Sequence, residues 1–121
     1  MKRTLILLAA SVAAGATLFA LAPFAGARPA ARASTSVSVT AKEYRFILSR
    51  KSAPHGVVVF HVVNKGKLKH DFKIAGKKTP LVKPRGKATL RVTLAKGKRY
   101  RYICTVPGHV TLGMKGTFRS T

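Results

Sequence analysis

From Val37 onward the chain alternates between apolar and polar positions with a period of two, interrupted by Gly, Pro, Asn and Lys. Neighbouring side chains of a β-strand point to opposite faces, so this pattern predicts strands with one buried face. Val37–Thr40 alternates in this way, and Tyr44–Leu48 (YRFIL) is strand-rich. Val57–Val63 (VVVFHVV) is a nearly unbroken β-branched run, as expected of an interior strand. His70–Ala75 alternates Phe72 and Ile74 with Asp71 and Lys73, and Ala88–Leu94 sets Leu90, Val92 and Leu94 on one face. Arg99–Cys104 places Tyr100, Tyr102 and Cys104 on one face and Arg99, Arg101 and Ile103 on the other, and Gly116–Arg119 predicts a short last strand. Turns are predicted at Pro54-His55-Gly56, Asn64–Lys67 and Ala95–Lys98, with a basic, Pro-containing connection over Gly76–Lys87. Nothing after the leader has helical periodicity. Strands at such spacing predict an all-β antiparallel sandwich or barrel, and 121 residues suffice for one domain.

The first residues follow a different pattern. Met1-Lys2-Arg3-Thr4 is a basic start, Leu5–Leu21 is largely apolar, and Ala25-Gly26-Ala27 fits a small-residue cleavage site. Residues 1–27 therefore predict a signal peptide, with Ala31-Arg32-Ala33 as a second cleavage point. The apolar stretch is also long enough to serve as an uncleaved membrane anchor, since ~17–25 such residues cross a bilayer. A Pro/Ala/Ser linker (28–35) follows, and residues 36–121 form the predicted domain. The protein is expected outside the cytoplasm: periplasmic, extracellular, or held on the outer side of the cytoplasmic membrane. A lipoprotein anchor is excluded, because the only cysteine, Cys104, lies far from any cleavage site.

Charge alters the expected partners. Twenty-four Lys and Arg stand against Glu43 and Asp71, for a net charge of +22. Removal of residues 1–33 takes away Lys2, Arg3, Arg28 and Arg32, and lowers +22 by four to +18. Such a surface attracts acidic proteins and anionic membrane through long-range fields. Export, and the scarcity of aromatics beside the cations, argue against a specific nucleic-acid partner.

The chemistry lies in YICTVPGHVTLGMKG, residues 102–116, where Cys104, His109 and Met114 are spaced five and five. A lone cysteine forms no internal disulfide, and a free thiol in an exported protein is prone to oxidation. Small exported domains often gain stability from a metal instead. An iron–sulfur cluster needs about four cysteines, and structural zinc usually has two or more. One Cys, two His and one Met suit a type 1 (blue) copper centre, with thiolate and imidazoles in a trigonal plane and a weak axial thioether. Gly108, Gly113 and Gly116 would let the loop fold tightly. The second imidazole comes from His70, His55 or His61. His70 is favoured because it opens a strand, whereas His55 lies in a turn and His61 in mid-strand. Asp71 would either order the site by accepting hydrogen bonds from Thr105 or the backbone beside Cys104, or pair with a nearby Lys.

His70-Asp71-Phe72 followed by CTVPGHVTLGMKGTF (104–118) resembles the cupredoxins, the plastocyanin/azurin family of blue copper proteins, over about residues 36–120. Lys69 stands where azurins have glycine, and Asp71 where cupredoxins often have asparagine. The resemblance implies a Greek-key β-sandwich with copper at one end. It also implies His70, Cys104 and His109 as equatorial ligands and Met114 as the axial one. It implies a non-enzymatic carrier that cycles one copper between Cu(I) and Cu(II), with electrons passing through the edge of His109, ringed by Pro107, Val110 and Leu112. An acidic c-type cytochrome, copper oxidase or reductase is then the expected partner. A copper carrier or chaperone using the same ligands is the alternative.

Overall fold

The computed structural model describes residues 9–17 and 33–121. Of the predicted leader only 9–17 is described, without regular secondary structure. The rest of it and linker residues 28–32 lie outside the described residues. No helix among the described residues is long and apolar enough to cross a membrane.

Among the described residues there are nine strands: β1 (Thr35–Lys42), β2 (Arg45–Leu48), β3 (Ser52–Ala53), β4 (Gly56–Asn64), β5 (Lys73–Ile74), β6 (Lys77–Lys78), β7 (Lys87–Leu94), β8 (Arg99–Ile103) and β9 (Lys115–Ser120). They make two sheets, ordered β2-β1-β4-β7 and β3-β9-β8-β5-β6. Not every pair is antiparallel: β1 runs parallel to β4, and β3 parallel to β9. The all-β sandwich expected from the period-two pattern is therefore present.

In β1, β7 and β8 the buried face is the one the alternation marks, whereas β4, which reads as a nearly unbroken apolar run, buries Val58, Phe60 and Val62 and leaves His61 exposed. Val58, Phe60 and Val62 of β4 lie beside Val37 and Val39 of β1 and Leu90, Val92 and Leu94 of β7 on one sheet face, and pack in one core with Tyr102 and Phe118 of the other sheet. Phe60 contacts Phe72 and Phe118 with ring centroids 5.1 Å and 5.3 Å apart, and Phe46 meets Phe72 edge-on at 5.2 Å. Full burial of the Phe60, Phe72 and Phe118 rings stabilises the fold by roughly 1.5–3 kcal/mol each. A second, smaller apolar cluster of Ala41, Cys104 and Met114 caps one end of this core, with Tyr44, Phe46 and Val106 against it.

The expected strand over His70–Ala75 is shorter than the alternation suggests. Only Lys73–Ile74 is strand, and it forms a two-residue hairpin with β6 inside what read as a plain connection. The two residues between them, Ala75 and Gly76, both have positive φ (52° and 73°), as a type I′ hairpin turn requires. Ala is uncommon in that conformation, so the sequence hides the turn. Residues 70–72 are drawn instead to the segment at 79–82. His70 exchanges two backbone bonds with Val82, and Phe72 accepts from Thr79 N–H while donating to Thr79 Oγ1. This short ladder holds His70 at the end of the sandwich where β8 stops.

Candidate metal centre

Four segments converge at that end. Cys104 follows the last residue of β8, and the 104–114 loop returns the chain to Met114 before β9. Three backbone bonds set the loop's shape: Cys104 N–H donates to Met114 O (3.1 Å), Met114 N–H to His109 O (3.0 Å) and His109 N–H to Val106 O (3.1 Å). Gly108 and Gly113 have φ of 82° and 120°, where a side chain would be strained. Gly116 has a different role from the one expected of it, since a Cβ there would collide with the Tyr102 ring.

Nδ1 of His70, Nδ1 of His109 and Sγ of Cys104 form a triangle with sides of 3.1, 3.5 and 4.0 Å. All three residues are buried, and their donor atoms lie within 4.8 Å of one another. The circle through points at these separations has a radius of about 2.1 Å, a metal–imidazole bond length and close to the ~2.3 Å of a metal–thiolate bond. One ion fits in that plane on all three donors. Met114 is fully buried in the same apolar cluster as Cys104. The other two histidines are not brought there. His61 is exposed on the outer face of the β1-β4-β7 sheet, between Ser38 and Thr89. His55 lies at the opposite end of the sandwich, its Nδ1 3.0 Å from Thr121 O.

The surroundings set the protonation of the metal-free donors. Burial pushes the Cys104 thiol up, while the N–H groups of Asp71 and Val106, facing the sulfur, pull the other way. Burial pushes His109 down, and the neighbouring His70 adds to the effect. Both residues are thus held neutral, and metal uptake must displace the thiol proton.

Two carboxylates brace the candidate ligands. Asp71 Oδ1 accepts from Thr105 N–H at 2.6 Å, and Oδ2 accepts from the Thr105 hydroxyl. This is the first of the two roles expected of Asp71, and it ties the residue after His70 to the residue after Cys104. The second brace went unread in the sequence. Glu43, in the β1–β2 turn, reaches across to the 65–69 loop, where its Oε1 accepts from Lys67 N–H (2.8 Å) and Leu68 N–H (2.7 Å) and lies 3.1 Å from His70 Nε2. The Leu68 N–H in particular holds the Glu43 carboxyl at about 2, against an ordinary 4.5. Rarity was the available signal: in a chain with 24 cations the two acids both stand beside ligands. Tyr44 was also missed, and it packs edge-on against His109 at 5.3 Å.

No match is found among curated protein sequences. Solved structures do share the fold. Dithionite-reduced auracyanin from the photosynthetic bacterium Roseiflexus castenholzii is similar, with a TM-score of 0.64 at 19% identity, over 74% of this chain and 98% of that one. Auracyanin B gives 0.62 at 21% identity, over 72% of this chain and 88% of that one. Auracyanin A, a blue copper protein from the green thermophilic photosynthetic bacterium Chloroflexus aurantiacus, gives 0.62 at 19%, over 74% of this chain and 100% of that one. The model of the copper binding proteins, plastocyanin/azurin family, matches residues 31–119. That span takes in both sheets and every corner of the donor triangle, and the chain belongs to the plastocyanin/azurin family of copper-binding proteins.

Proposed function

We propose that the protein is an exported type 1 copper protein that carries single electrons. In this reading His70, Cys104 and His109 are the equatorial ligands and Met114 is the axial one. The observation that carries it is the buried triangle of donors, with Met114 buried in the same apolar cluster as Cys104 and Tyr44 packed on His109. Bound copper supplies a one-electron Cu(II)/Cu(I) couple. The protein supplies three buried donors already close together, a geometry that would suit both oxidation states with little rearrangement. Ala41, Phe46 and Val106 keep water from Cys104 and Met114. With four protein ligands and no open position, the site favours electron transfer over catalysis on a bound substrate. Export rests on the leader pattern of residues 1–27.

Access to the site supports His109 as the exit for electrons. Among the four ligands its exposure is greatest, at 7%, against 1% for His70 and none for Cys104 or Met114. The loops at this end also carry Leu68, Leu81 and Leu112, three of the exposed large apolar side chains among the described residues. An apolar contact zone there, set in a strongly basic surface, suits an acidic redox protein such as a c-type cytochrome, copper oxidase or reductase. Charge would raise the encounter rate and make it fall with salt.

Voltammetry of the copper-loaded protein with a Cu(I) chelator in solution tests this reading. A reversible one-electron wave that survives repeated cycling is expected of an electron carrier. A wave that fades as the chelator strips copper would mean metal delivery instead.

A further inference from the structure

We propose that Glu43 is a positioning residue of the copper site: it fixes His70 in the tautomer that leaves Nδ1 bare for the metal, and its charge biases the site toward Cu(II). The inference rests on the copper reading above and deepens it. Nδ1 of His70 faces His109 and Cys104, whereas Nε2 faces Glu43 Oε1 at 3.1 Å. A neutral imidazole carries one N–H, and a carboxylate only accepts, so Nε2 must be the donor. That places the lone pair of Nδ1 inside the donor triangle.

The carboxylate is itself held in place. The N–H groups of Lys67 and Leu68 point at the oxygen that faces His70. A Cβ on Gly66 would come within 2.8 Å of the carboxylate carbon, so a side chain there would push the carboxylate off its N–H partners. Glu43 thus fastens the β1–β2 turn to the loop that leads into His70.

Its charge has a separate consequence. The chain carries +22, a field that opposes the extra positive charge of Cu(II). An anion one imidazole ring from the metal opposes that field locally and stabilises the higher oxidation state. This explains why one of only two acidic residues stands here. A purely structural brace would need an acceptor but no charge, and the two roles separate by substitution.

The test uses the full chain as wild type, Glu43→Gln and Glu43→Leu. Glutamine keeps an acceptor for the three N–H groups and removes the charge, and leucine removes both. Nitrogen-15 NMR of the metal-free proteins reads the His70 tautomer, so this arm is informative even if the copper reading fails. The Nε2–H form is expected in wild type and Glu43→Gln, and a mixture of tautomers in Glu43→Leu. In the copper-loaded proteins the reduction potential is expected to rise in Glu43→Gln, and Cu(II) affinity to fall by about 10–100-fold in Glu43→Leu. An unchanged His70 tautomer in Glu43→Leu would overturn the positioning role. A Glu43→Gln potential equal to or below that of wild type would overturn the electrostatic one. If Glu43→Leu does not fold, Glu43→Gln and wild type decide both points, since wild type with His70 protonated on Nδ1 would also refute the proposal.

Discussion

Asp71→Ala strikes the clamp between the two ligand-bearing segments. Asp71 is 2% exposed and makes two hydrogen bonds, to the N–H and the hydroxyl of Thr105. A hydrogen bond to a charged group contributes about 1.5–3 kcal/mol, and loss of the acceptor leaves its donor to be desolvated. Thr105 is half-buried, so water recovers part of that loss. A net destabilisation of about 3 kcal/mol follows, near the lower end for two such bonds. In a folded unit of this size 1 kcal/mol moves the midpoint by about 4–8 °C, so the metal-free protein should melt about 12–24 °C lower. Asp71→Asn keeps the Oδ1 acceptor for Thr105 N–H, and should lose only about 1 kcal/mol. Urea unfolding of both variants without metal, followed by circular dichroism, gives the two values. Equal losses in the two variants, or a loss below about 1 kcal/mol for Asp71→Ala, would refute the clamp.

Three further outcomes are open to direct measurement. Met114→Gln should leave copper bound but lower the reduction potential, because a harder axial oxygen favours Cu(II) over the soft thioether; voltammetry reads the shift. Because burial pushes the Cys104 thiol up and copper binds the thiolate, Cu(II) affinity should rise with pH, by up to about tenfold per unit while the thiol stays protonated, in chelator competition between pH 5 and 8. Gly66→Ala should crowd the Glu43 carboxylate and destabilise the metal-free protein, whereas alanine at exposed Gly76, with open space around its Cβ, meets only the strain of its φ of 73°; thermal melts compare them.

The sandwich was legible because its cause is local. Alternation in β1, β7 and β8 marks the faces that fill the core, and Val37, Leu90, Val92 and Tyr102 are buried as their parity requires; the apolar run of β4 marked a buried strand but not which of its faces turns inward. The 104–114 loop was legible because three uncommon side chains at fixed spacing serve one chemistry. What the sequence hid depends on pairing at a distance. The β5–β6 hairpin turns on Ala75 at positive φ, and β3 is two residues recruited by the C-terminal strand. Glu43 lies 27 residues from His70 and reads as a stray surface acid until β1 and the 65–69 loop lie side by side. The gap at Gly66 that admits its carboxylate leaves no mark in the hydropathy pattern.

The central claim is a copper ion held by the Cys104 thiolate between two imidazoles. Absorption and EPR spectra of the purified protein with one equivalent of Cu(II), for wild type and Cys104→Ala, test it most directly. An intense blue thiolate-to-copper band with narrow copper hyperfine splitting is expected in wild type, with both features lost in Cys104→Ala. A pale, ordinary Cu(II) spectrum in wild type, or a blue band that survives removal of the cysteine, would contradict it.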